Sequence, residues 1–147
     1  MEADSAIPHI EIVLAVASES LYSPFIEEGP QFPSILLRRF VTGEELLKHL
    51  GSRIGPEPSV VITSLSLPLM NGAALIERIY QLPSYAGIAS LVLIPRGRRQ
   101  SIAERFKNKP SVGLIEIAEH RAEWVARVRC ILEYWSLRGA GIPATAQ

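Results

Sequence analysis

Val60-Val61-Ile62-Thr63-Ser64-Leu65-Ser66-Leu67-Pro68-Leu69-Met70-Asn71-Gly72 is the stretch from which the rest of the chain can be read. Val60 to Thr63 is apolar, β-branched and uncharged, the pattern of a short strand buried on both faces. Pro68 cannot continue a helix or a central strand, and Asn71-Gly72 supplies a turn and a helix start. Asn71 to Gln81 then reads as a helix, with Leu75, Ile76 and Ile79 at helical spacing and Pro83 stopping it. A buried strand that feeds a helix through a short loop is the repeating unit of a parallel α/β sheet.

The same alternation extends in both directions. Further strands are predicted over Ile10 to Val16, Ile35 to Val41, Ile88 to Ile94 and Val112 to Ile117. Helices are predicted over Gly43 to Leu50, Gly97 to Lys107 and Glu119 to Leu137, the last with Val125, Val128, Leu132 and Trp135 as its buried stripe. Between the first two strands, Ser18 to Glu28 has helical character but contains Pro24, and Pro30 and Pro33 follow, so a short or distorted helix is expected there. Five parallel strands with helices on both faces result. Residues 1–8 read as an N-terminal tail, 9–138 as one domain, and 139–147, small, polar and Pro-containing, as a linker or disordered end.

Composition narrows the function classes. A chain of 147 residues with 48% apolar and 20% charged residues suits one globular core. Lysine plus arginine equals aspartate plus glutamate at 15 each, which gives no overall field for nucleic acid or an anionic membrane. No apolar run approaches the roughly 20 residues that span a bilayer, and the first residues are not a basic secretory start, so a cytoplasmic location is expected. Cys130 has no partner for an internal disulfide, and His9, His49 and His120 are scattered, so neither a metal nor another cofactor is expected. The only aspartate is Asp4; the only lysines are Lys48, Lys107 and Lys109.

The Pro68-Leu69-Met70-Asn71-Gly72 loop resembles the one that follows the third strand in bacterial response-regulator receiver domains. Gly43-Glu44-Glu45-Leu46-Leu47 resembles the start of their second helix, and Glu123-Trp124-Val125-Ala126-Arg127-Val128-Arg129 their last helix. The likeness runs over about residues 10 to 137. It implies a flavodoxin-like, doubly wound α/β fold with strand order 2-1-3-4-5.

It also implies a chemical site that this sequence does not carry. Receivers place the phosphoacceptor Asp four residues before the loop proline, and Ser64 stands there. The acidic pair that holds Mg²⁺ in receivers falls on Ala17 and Ser18, with Glu19 beside them reading as a helix N-terminal residue rather than a ligand. The Ser or Thr ending the fourth strand falls on Ile94, the fifth-strand Lys on Ile117, and the switching aromatic residue on Leu114. An apolar pair at Ile94 and Ile117 spares the fold an unpaired hydroxyl or ammonium group, so the site is expected to be closed. Ser64 itself reads as a small polar filler, since no general base or metal site accompanies it.

The resemblance implies a pseudo-receiver: a bacterial signalling module that works by protein contact, as a partner of a signalling kinase, an effector domain or a second copy of itself. The surface of the fourth helix, fifth strand and fifth helix is the candidate interface, with Glu104, Arg105, Lys107, Glu119, Glu123, Trp124 and Arg127, and it suits a two-fold homodimer. The alternative is a ligand-sensing domain that binds a small molecule or anion at the carboxyl ends of the strands, lined by Ser18, Ser64, Asn71 and Arg96. Arg96, Arg98 and Arg99 form the candidate anion loop. A fold of the anti-sigma-antagonist type is a weaker alternative, opposed by the Pro68 to Gly72 loop.

Overall fold

The computed structural model describes residues 10–139. The expected tails fall outside the described residues, except that Gly139 closes the last helix rather than opening a linker. The elements are β1 (Ile10–Ala15), α1 (Glu19–Glu28), β2 (Ile35–Phe40), α2 (Gly43–Ser52), β3 (Val60–Ser64), α3 (Gly72–Ile79), β4 (Ser90–Ile94), α4 (Arg99–Arg105), β5 (Val112–Glu116) and α5 (Arg121–Gly139). Single 3-10 turns at Gly29–Gln31 and Pro83–Tyr85 follow α1 and α3.

All strand pairs are parallel and the order is β2-β1-β3-β4-β5. Because β3 is central, each of its five residues is buried, which is why its sequence runs apolar without alternation. Successive side chains leave the sheet on opposite faces and build two cores. Val13, Val61, Val92 and Ile94 pack with Leu46, Leu75 and Ile76 under α2, α3 and α4. Ile12, Leu14, Ile62 and Leu93 pack with Phe25, Trp124 and Val128 under α1 and α5.

Side chains start three of the helices. Ser18, Thr42 and Asn71 accept from Leu21 N, Glu45 N and Ala74 N, satisfying an amide that the first turn leaves without a partner. Gly72 is required for a different reason. Its N–H donates to Leu65 O at 2.9 Å, and a Cβ there would lie 2.2 Å from Ser64 O. No L side chain fits where α3 leaves the end of β3.

Two expectations need correction. The first helix is neither short nor interrupted: α1 has ten residues and runs through Pro24. An interior proline costs about 3 kcal/mol of intrinsic helix preference. Burial of Pro24 and Phe25 offsets that cost, and Gly29 N–H resumes the ladder on Phe25 O. In α5 the buried stripe is Trp124, Val128, Ile131, Leu132 and Trp135; Val125 is only half-buried. Val128, Leu132 and Trp135 of the expected stripe do face the sheet; Trp124 and Ile131 join them on that face and Val125 lies at its edge.

Candidate functional site

The site lies at the carboxyl ends of β1, β3 and β4, where this topology gathers its loops. Ser64 is the last residue of β3 and only 1% exposed, so it closes the strand instead of facing a cleft. Its hydroxyl donates to Ser66 O at 2.9 Å, and the neighbouring Thr63 hydroxyl donates to Ser64 O at 2.9 Å. A buried hydroxyl already committed to a carbonyl, without a base beside it, is a poor nucleophile. Ile94 is completely buried in the core beneath α2 to α4.

The expected pair of Ile94 and Ile117 does not form. Ile94 is level with Glu116 in the β4–β5 register, and Ile117 is one residue further, so its side chain turns to the α5 side of the sheet. Glu116 therefore stands beside Ile94, half-exposed, with Arg99 Nε 3.6 Å from its carboxylate. The interior of the site is apolar and its rim carries an ion pair. Leu114 does lie on the Ile94 face, packed against that core.

The end of β1 holds the feature that the sequence did not reveal. Arg39, the penultimate residue of β2, donates through Nε to Val16 O at 3.0 Å and through Nη2 to Ala17 O at 3.2 Å. Its Nη1 pairs with Glu19 at 2.9 Å, and its guanidinium lies 4.2 Å from the centre of the Tyr22 ring. Glu19 is thus the first residue of α1 and the arginine's counterion. The donor set does not fit a divalent cation. Two of the carbonyls are taken by a guanidinium, the nearest carboxylate is neutralised by it, and Ala17 and Ser18 offer no acid. Among the described residues no three His, Cys, Asp or Glu side chains gather as a metal site.

The polar residues proposed to line a ligand cleft are used locally. Ser18 and Asn71 cap helices, and Arg96 lies 3.5 Å from Glu119 with both side chains exposed. The candidate anion loop is likewise divided: Arg96 and Arg99 have glutamate partners, and α4 begins at Arg99 without a side-chain cap. Next to Ser64's loop, Met70 N–H reaches Pro68 O at 2.7 Å and closes a tight turn on Leu69, which has φ of 70° and is 92% exposed. Leu69 is the only non-glycine residue with positive φ among those described, and burial does not reward it.

On the α4–β5–α5 face most charged candidates are paired within the chain. Glu104 meets Lys107 at 2.9 Å, Arg105 makes two 2.8 Å bonds across to Glu77 of α3, and Arg127 meets Glu123 at 2.8 Å. Arg127 also donates to Glu116 O, and Arg99 to Leu114 O at 3.4 Å. These two arginines cap carbonyls along the outer edge of the sheet, which protects it from pairing with another strand. Trp124 is a correction: it is 3% exposed and donates to Leu21 O at 3.1 Å, so it fastens α5 to α1 and takes no part in an exposed interface. Its apolar ring sits on the buried stripe.

A second α1–α5 link is Glu28, which accepts from Arg129 at 2.8 Å and from Gln31 at 2.9 Å. The Arg129 bond, more than its charge, holds the Glu28 carboxyl below the usual carboxylate range. Also at the amino ends of the strands, Glu11 of β1 is bound by Arg53 and Arg38, and the Arg53 bond is the chief cause that lowers its pKa. Burial lowers the pKa of His49 beside them, and the Arg53 charge adds to it.

No protein-family model matches the chain, and no curated protein sequence matches it. Solved structures do. The phosphorylated cyanobacterial phytochrome response regulator RcpA has a TM-score of 0.75 at 17% identity, covering 86% of this chain and 94% of its own. A response regulator receiver domain from Rhodospirillum rubrum has a TM-score of 0.75 at 15% identity, over 87% and 94%. A response regulator in red light signaling of R. palustris has 0.70 at 18%, over 92% and 99%. At these identities the comparison speaks of the fold: with the sheet order, it shows that the chain has the flavodoxin-like fold of response-regulator receiver domains.

Proposed function

We propose that this chain is a non-catalytic pseudo-receiver, a cytoplasmic bacterial signalling module that acts by protein contact and takes no phosphate at the receiver position. The observations that carry the reading are two: Ser64 is buried and hydrogen-bonded to Ser66 O, and the Arg39 guanidinium occupies the carbonyls of Val16 and Ala17. An acyl phosphate needs a carboxylate to form on, and charge-neutralising groups around it. Here the acid is absent, and the cation is built into the backbone end of β1. The face of α4, β5 and α5 presents the partner, whether kinase, effector domain or second copy. Any switching then comes from differential binding of that partner to two states.

The test is thermal stability with Mg²⁺ and beryllium fluoride, a mimic of an acyl phosphate. The midpoint is expected to stay where it is with and without the additives. A dose-dependent rise would mean that the site binds both, and would remove the reading.

A further inference from the structure

α5 carries two apolar stripes, and only one is buried. Beside Trp124, Val128, Ile131 and Trp135 runs a second line, Ala126, Cys130, Tyr134 and Leu137, which is exposed; Tyr134 and Leu137 are each 45% accessible. Ala126, Cys130 and Tyr134 of this line form one wall of a groove of about 780 Å³, whose other wall is the α5-side face of β4 and β5 at Leu91, Gly113 and Ile115, left open among the described residues. The groove runs from Glu123 to Arg138, 15 residues of helix or about 22 Å. Arg138 has no carboxylate partner among the described residues; its guanidinium donates to the Tyr134 hydroxyl at 3.2 Å and lies over the rings of Tyr134 and Trp135.

We infer that this groove is an interface with a second copy of the chain, in which two α5 helices pack antiparallel across a two-fold axis near Cys130. The surface contains both halves of its own complement. A two-fold axis through position 130 sets residue 130 + n opposite 130 − n. It places the Tyr134 knob of one copy against the small Ala126 of the other. It sets Leu137 opposite the other copy's Glu123, which brings the adjoining Arg138 towards a carboxylate that already lies 2.8 Å from its own Arg127, and it brings the two Cys130 thiols towards one another. A parallel arrangement would instead set Arg138 against Arg138 and Glu123 against Glu123, which costs energy. An extended peptide fits less well, because arginines already cap the edge carbonyls of Leu114 and Glu116 and the groove wall offers little else to its backbone. A helix satisfies its own backbone and needs only an apolar wall.

The inference deepens the contact-module reading and rests on it. The experiment is crosslinking of the native full chain with a short bis-maleimide, together with sedimentation over the micromolar range. The account expects a covalent dimer through Cys130 that is abolished by Cys130→Ser and weakened at least several-fold by Tyr134→Glu or Arg138→Glu. Adding Glu123→Arg to Arg138→Glu should restore it. All four positions are exposed, and circular dichroism of each variant checks that the fold is kept. A wild-type monomer across the range overturns the inference, as does a crosslinked dimer indifferent to Arg138 reversal. Neither result touches the reading that the chain takes no phosphate, which is judged by the response to Mg²⁺ and beryllium fluoride and by intact mass.

Discussion

At the scale of the residue, two positions carry the account. Ser64 is buried in a site whose nearby hydroxyls are committed to carbonyls and whose interior is apolar. Ser64→Asp is therefore expected to lower stability by about 2 kcal/mol or more, since a buried carboxylate without donors forfeits its hydration. Urea denaturation checks this; an unchanged midpoint would show that water reaches the position. Gly72→Ala is expected to cost about 1–3 kcal/mol, because its Cβ would overlap Ser64 O unless α3 shifts. A variant as stable as the wild type would mean that the β3–α3 junction is looser than drawn. The glycine and the missing aspartate could both be read from sequence. The burial of Ser64 could not, because a serine that ends a strand looks the same whether it faces water or the core.

At the scale of the element, side chains that bridge neighbours matter more than any single helix. Arg39 joins β2, the end of β1 and the start of α1 through three hydrogen bonds. Arg39→Met keeps the aliphatic stem and leaves two carbonyls to water, and is expected to cost about 1–3 kcal/mol. Hydrogen exchange should speed up first in α1. Uniform loosening of the whole domain would place the lost stability elsewhere.

Glu28 and Arg129 give a pH signature. The carboxyl has a lower pKa folded than unfolded, so its contribution is fully present above its unfolded value near 4.5 and is lost as pH falls through the depressed folded value. The difference in stability between wild type and Arg129→Ala should therefore be constant at neutral pH and shrink in acid. A difference that grows on acidification would contradict this assignment. Most of the α5 stripe was legible, but Trp124, expected at the surface, lies in the core. Pro24 misled for the converse reason: local preference argued for a break, and burial of α1 against α5 prevailed.

At the scale of the molecule, the alternation of five apolar runs with helical segments was sufficient to read the parallel sheet, and the loop from Pro68 to Gly72 its resemblance. Register was not legible. The sequence aligned Ile117 with the missing lysine, whereas the β4–β5 pairing brings Glu116 beside Ile94. Nor was the Arg39 contact, because it joins residues more than twenty positions apart and leaves no local pattern. The central claim is that this receiver-like fold does not accept phosphate, and intact mass after incubation with acetyl phosphate and Mg²⁺ tests it most directly. The account predicts an unchanged mass. A stable gain of one phosphoryl group, mapped to Ser64, would contradict it.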